Sequence, residues 1–245
     1  MRARMWPVRV GMRAALKEIL LPALCVACDG VLAGDDRGLC GTCRSRMVPM
    51  SGPCCPLCGN PSDSDSDPCL GCVASPPPQD ATILWGSYEG VLRRAVLALK
   101  HGRHDELARP LGGRLAGRLG LAPWFGEITA VTAVPSHELR RLRRGASAAG
   151  LLAREVAKTT RKRQISALRR HGLGRQAGRT RVQRTRLPRG SFSARMTLTG
   201  QHILIIDDVC TTGTTLRRAA ETLIEAGAEA VICTAMAHAP DPRRS

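Results

Sequence analysis

Aromatic residues are scarce: three Trp, two Phe and one Tyr in 245 residues. That leaves little for a surface that holds nucleic acid by stacking bases on rings. No uninterrupted run of about 18 apolar residues exists either, so no membrane span is expected. The opening MRARMWPVRVGMRAALKEILLPALC is interrupted by Lys17 and Glu18 and does not read as an export signal. Met12, Ala15, Leu16, Ile19 and Leu20 instead fall on one face of a short amphipathic helix within 1–24. A cytoplasmic location is the expectation. Acidic residues are nearly missing from one stretch: Leu139 to Arg195 holds 18 basic residues and a single acid, Glu155. The rest of the chain holds 19 of each sign, so these 57 residues account for the whole net charge of +17. A phosphate-rich partner follows from that surplus, and a solvated, mobile charged loop is the competing reading.

The segment 203–215, ILIIDDVCTTGTT, concentrates the chemistry. Ile203 to Ile206 form a continuous apolar run, as in a central parallel strand buried on both faces, ending at Asp207. From Thr214, the residues Leu216, Ala219, Ala220, Leu223 and Ile224 form a helical stripe that Gly227 stops. A helix thus starts at a loop of hydroxyls. Its free backbone NH groups and the side chains of Thr211, Thr212, Thr214 and Thr215 favour a phosphate, and Gly213 permits close approach. Asp207 and Asp208 stand just before the turn as acceptors for sugar hydroxyls or for magnesium-bound water. Cys210, inside this loop, reads as a small filler.

Nine of eleven cysteines precede residue 73. They form four CxxC knuckles, Cys25/Cys28, Cys40/Cys43, Cys55/Cys58 and Cys69/Cys72, with Cys54 left over. Each knuckle presents two thiolates on a tight turn, and two knuckles complete a four-thiolate zinc site. Two zinc ions are expected, paired in chain order, with a crossed pairing left open. With all four positions filled by protein, the sites would be structural. A disulfide framework is the alternative, and it needs an oxidising compartment.

ASPPPQD at 74–80 marks a boundary between a zinc module at 25–74 and a second unit at 81–238. In that unit ATILWGSY reads as a strand, VLRRAVLALKHGR and LARPLGGRLAGRLG as helices, and 128–134 as a strand ending at Pro135. A helix over 146–157 and a last strand over 230–237 follow. Strands alternating with helices predict an α/β fold with a mostly parallel sheet and ligands at the strand carboxyl ends. Pro135, Ser136, Asp207 and Asp208 all fall there.

The 203–215 segment resembles the 5-phosphoribosyl-1-pyrophosphate (PRPP) motif of type I phosphoribosyltransferases. The order of cysteine knuckles, LKHGRHDELARPLGGRLA, AVPSHELRRLRRGASAAGLLAR and then the PRPP motif resembles the ComF family over nearly the whole chain. The resemblance implies a phosphoribosyltransferase-like fold behind a double zinc ribbon. It implies a ribose diol on Asp207 and Asp208, a 5′-phosphate on the threonine loop, and Mg²⁺ with PRPP. It further implies a pyrophosphate loop after Pro135, with Ser136, His137, Arg140 and Arg141. Single-stranded DNA, DNA-uptake proteins and natural transformation come from the same resemblance. The chain departs from the family where Ala146, Ser147 and Ala148 replace an aromatic and two amides, and where Leu187 replaces an Asn. Two classes of function remain, a phosphoribosyltransferase and a DNA-handling protein that keeps the phosphate site for sensing. No catalytic residue or acceptor pocket is evident.

Overall fold

The computed structural model describes residues 22–34, 36–102, 104–136, 146–171, 187–188 and 190–240. Among these residues, seven strands run β1 Ala81–Ser87, β2 Ala130–Ala133, β3 Arg163–Gln164, β4 Leu168–Arg170, β5 Phe192–Ala194, β6 His202–Cys210 and β7 Ala230–His238. Among the described residues, six α-helices run α1 Gly41–Ser45, α2 Leu70–Ala74, α3 Gly90–Lys100, α4 Ala108–Leu119, α5 Ala148–Thr160 and α6 Thr214–Glu225. Five strands form one parallel sheet in the order β1-β7-β6-β2-β3, and β4 pairs with β5 as an antiparallel hairpin.

β6 explains why its sequence is apolar without alternation. Leu204 and Ile206 pack on one face with α3, α4 and α5, while Ile203 and Ile205 pack on the other with α6 and the hairpin. All four are fully buried. The α4–α5 contact depends on Gly112: a Cβ there would stand 2.6 Å from that of Glu155. The glycine that lowers helix propensity in α4 is what lets the two helices close.

The chain leaves β2 through α5 to β3 on one side of the sheet centre and leaves β6 through α6 to β7 on the other. The neighbours β2 and β6 thus flank the point where strand order reverses, and a crevice opens above their carboxyl ends. β6 runs past Asp207 to Cys210, contrary to the expected end, because its pairing with β7 continues through Asp207↔Ala235 and Cys210↔His238. Its pairing with β2 stops at Ala133↔Ile206, so the acidic pair projects beyond the shorter strand.

The cysteine-rich segment is knitted into this body. Cys25, Cys43 and Met47 share an apolar cluster with Trp85 and Leu107, and the Arg94 guanidinium donates to the Ala27 carbonyl. The second half docks on β1: the Thr82 amide donates to Pro56 O at 2.9 Å and its hydroxyl to Leu57 O at 2.7 Å. No described helix is long and apolar enough to cross a membrane. The amphipathic helix expected within 1–24 lies almost wholly outside the described residues.

Candidate functional site

Asp207 and Asp208 lie in the last residues of β6, just before the 211–215 loop. The Asp208 amide donates to Asp207 Oδ1 at 2.8 Å and the Val209 amide to Asp208 Oδ1 at 3.1 Å, which fixes both carboxylates at the rim. Burial, reinforced by the neighbouring Asp208 charge, holds the Asp207 carboxyl well above the usual carboxylate range, and Lys100 counters part of that. The Lys100 ammonium lies 3.1 Å from Asp208 Oδ2.

The loop turns on Gly213, whose φ of +72° is the left-handed conformation that L side chains rarely adopt. The Thr212 and Thr214 hydroxyls bond one another at 2.9 Å. A cavity of about 470 Å³ lies above the strand ends and is lined by Asp207, Asp208, Thr211 and Thr215 on one side and by Pro135, Ser136 and Ser147 on the other. Tyr88, Lys100 and Arg170 complete its wall. Thr212 and Gly213 turn instead to a smaller cavity of about 250 Å³ shared with Cys58, Cys69 and Cys72, so the five loop residues do not all face one space. His137, Arg140 and Arg141 lie outside the described residues.

Two helix starts converge on the larger cavity. α6 begins at the threonine loop, and α5 begins at Ser147, whose hydroxyl accepts from the Gly150 amide at 3.1 Å. Each contributes a positive dipole end and first-turn NH groups, a pairing suited to an anion with two separated phosphate groups. The acidic pair between them is suited to hydroxyl donors. Sequence reasoning missed Lys100, Tyr88 and Arg170. They come from the ends of α3, β1 and β4, and no local pattern tells that these ends meet the 207–215 turn. Ser147 stands where the family pattern has an amide, yet its N-cap role was open to reading from a hydroxyl just before an apolar stripe.

Cys25, Cys28, Cys40 and Cys43 form one group of four thiols and Cys55, Cys58, Cys69 and Cys72 another, every sulfur within 4.8 Å of its fellows. The pairing is sequential and not crossed. Cys28 and Cys40 sulfurs stand 3.8 Å apart, as do those of Cys58 and Cys69. That is the edge of a tetrahedron with zinc–sulfur bonds of about 2.3 Å. Amide donors reach Cys25 Sγ from Cys40 at 3.4 Å and Cys55 Sγ from Cys69 at 3.3 Å. Burial raises these two thiols, but the surrounding NH groups outweigh it and bring them down to about 6 and about 7. The donor sets fit two structural zinc ions, which would be held by thiolate alone.

Cys54 stands outside both groups, its amide bound to Asp65 Oδ1 at 2.7 Å. Burial pushes Cys210 up to about 12, so it fills space beneath the loop and is no thiolate.

The segment just after the second thiol group also supports the start of α6. Arg217, in the first turn of α6, donates to Ser75 Oγ at 3.1 Å and to Pro76 O at 2.7 Å, tying the helix to the segment just after α2.

Comparison with known proteins agrees with this anatomy. Residues 16–73 match the double zinc ribbon domain and residues 142–244 the phosphoribosyl transferase domain. The chain is 29% identical over 225 residues to the DNA utilization protein YhgH of Salmonella typhi, covering 87% of this chain and 96% of that one. It is 24% identical over 223 residues to competence protein F of Haemophilus influenzae, covering 88% and 96%. Among solved structures it is similar to the allosteric regulatory enzyme of purine biosynthesis, at 25% identity and a TM-score of 0.38 over 53% of this chain. The chain spans about a quarter of the length of that structure, an overlap too partial to carry an argument.

Proposed function

The chain belongs to the ComF family, in which a double zinc ribbon precedes a phosphoribosyltransferase domain, and from that premise we propose that it binds PRPP, or a closely related phosphorylated ribose, with magnesium. The observation that carries this reading is a single cavity with an acidic pair between two helix starts. Asp207 and Asp208 accept from the ribose hydroxyls. Thr211 and Thr215, with the amides at the start of α6, hold the 5′-phosphate. Pro135, Ser136 and the capped start of α5 face the pyrophosphate, with His137, Arg140 and Arg141 assigned to the same loop by family resemblance.

Transfer on this site joins an acceptor nucleophile to the anomeric carbon while the carbon–oxygen bond to pyrophosphate breaks, its electron pair leaving with the pyrophosphate. The chain's own part is placement of charge around that carbon, the largest contribution in many such reactions. When bound with the diphosphate, magnesium would offset the charge of the leaving group. The Asp207/Asp208 carboxylates beside the cavity fit its hydration shell.

Calorimetric titration of Mg-PRPP into the zinc-loaded protein and into Asp207→Ala/Asp208→Ala tests the reading. Saturable binding to the first and none to the second is expected. No binding to the parent protein would remove the phosphoribosyl reading and leave the fold standing.

A second reading is favoured by one observation, the 18 basic residues against one acid at 139–195. On it, the chain grips single-stranded DNA and senses a phosphorylated ribose without turning it over. Affinity for single strands would then fall with log salt by about 0.7 per phosphate contact. Retention of that affinity in the double Asp variant would make the two sites independent. A role in DNA uptake and a cytoplasmic setting belong to this proposal, the latter because unpaired thiols in such number suit a reducing compartment.

A further inference from the structure

Lys100 ends α3 and stands on the cavity wall, its ammonium 3.1 Å from Asp208 Oδ2. The other oxygen of Asp208 already accepts the Val209 amide. Both oxygens of Asp208 are therefore engaged, one of them by an ammonium. Taking the cavity as a phosphoribose site, that is the place of a ribose hydroxyl. A hydroxyl donor is neutral and competes poorly with an ammonium for a carboxylate oxygen.

We propose that Lys100 is a positioning residue that occupies the diol subsite in the ligand-free protein and is displaced from Asp208 when a phosphorylated ribose enters. Two features of Lys100 suit displacement. Its side chain is 43% exposed against 12% for Asp208, so the carboxylate stays in place while the ammonium can swing into water. Its unbranched stem also has a choice of rotamers. The pair then sets a threshold on ligand entry. A plain riboside offers only hydroxyls against the ammonium, whereas ribose 5-phosphate is also anchored at the threonine loop and dislodges it. Discrimination in favour of the phosphorylated sugar thus comes partly from an internal competitor and not wholly from the phosphate contacts.

The test uses ribose 5-phosphate, which carries the diol and the phosphate but no pyrophosphate that a freed lysine could contact. Its affinity for the zinc-loaded full chain is measured by calorimetry in the parent protein, Lys100→Met and Lys100→Arg, with Lys100→Gln as a second neutral variant. Removal of the ammonium is expected to tighten binding about two- to fivefold, the size of a partly exposed ion pair, and the gain should shrink as salt rises. Lys100→Arg should restore the parent affinity, which a purely structural role would not require. Unchanged or weaker binding in both neutral variants, with PRPP still bound by the parent, would overturn the displacement and spare the phosphoribose site. Failure of the parent to bind either ligand would remove both.

Discussion

On the proposed reading, Asp207 is the residue where folding and ligand binding pull in opposite directions. Burial and the adjacent Asp208 charge hold its carboxyl above the ordinary 3.8, so the folded chain keeps that proton more tightly than the unfolded chain does. With more protons bound in the folded state, stability falls as pH rises from about 4 toward the raised value. Asp207→Asn is neutral throughout. At about pH 7 it should raise the melting midpoint of the ligand-free protein by about 2–4 °C, flatten the pH dependence and abolish Mg-PRPP binding. A parent-like melting curve at every pH would mean that the acid is not held in this way. The acidic pair itself was legible, because two carboxylates directly after an apolar run and before a hydroxyl loop have few structural uses. Lys100 was not, since an ion pair between residues 108 positions apart is made by packing.

The start of α5 carries two functions on one side chain. Ser147 caps the helix through the Gly150 amide and lines the cavity. Ser147→Ala is expected to cost about 1 kcal/mol in chemical denaturation and to weaken ligand binding. Ser147→Asp should keep the cap and the stability yet bind an anionic ligand less well than Ser147→Ala does. Equal affinities in the two variants would detach the residue from the ligand. Helices α3, α4, α5 and α6 were readable from their apolar spacing, and each of them starts or stops at a glycine or a hydroxyl. The short β3 and the β4–β5 hairpin were not, because strands of two or three residues leave no period to detect.

At the scale of the whole molecule, a cysteine-rich flank packs onto the α/β body. Cys25, Cys43 and Met47 share an apolar cluster with Trp85 and Leu107, and Arg217 joins α6 to the segment after α2. Metal analysis should return two zinc ions per chain, and Cys54→Ser should not change that count. Chelation should lower the melting midpoint of the whole protein in a single transition. A ribbon that unfolds alone, with the rest melting as before, would show that the shared cluster does not couple the two parts. Thiolate-bound zinc contributes on the order of 10 kcal/mol to small ribbons, enough for its loss to be felt across such a junction.

Spacing along the chain was sufficient for the thiol groups, the parallel α/β sheet and the placing of an acidic pair before a hydroxyl-rich turn and a helix. Each of these rests on short-range geometry: a knuckle of two cysteines, a strand that is apolar without alternation, a helix that begins where hydroxyls end. Packing was needed to bring Lys100, Tyr88, Arg170 and Ser147 to one cavity, to turn Thr212 and Gly213 toward the second thiol group, and to choose sequential over crossed cysteine pairing. Those outcomes depend on which strands lie side by side and how far each extends. Local pattern does not encode that, because the free energy that selects it comes from burying surfaces distant in sequence.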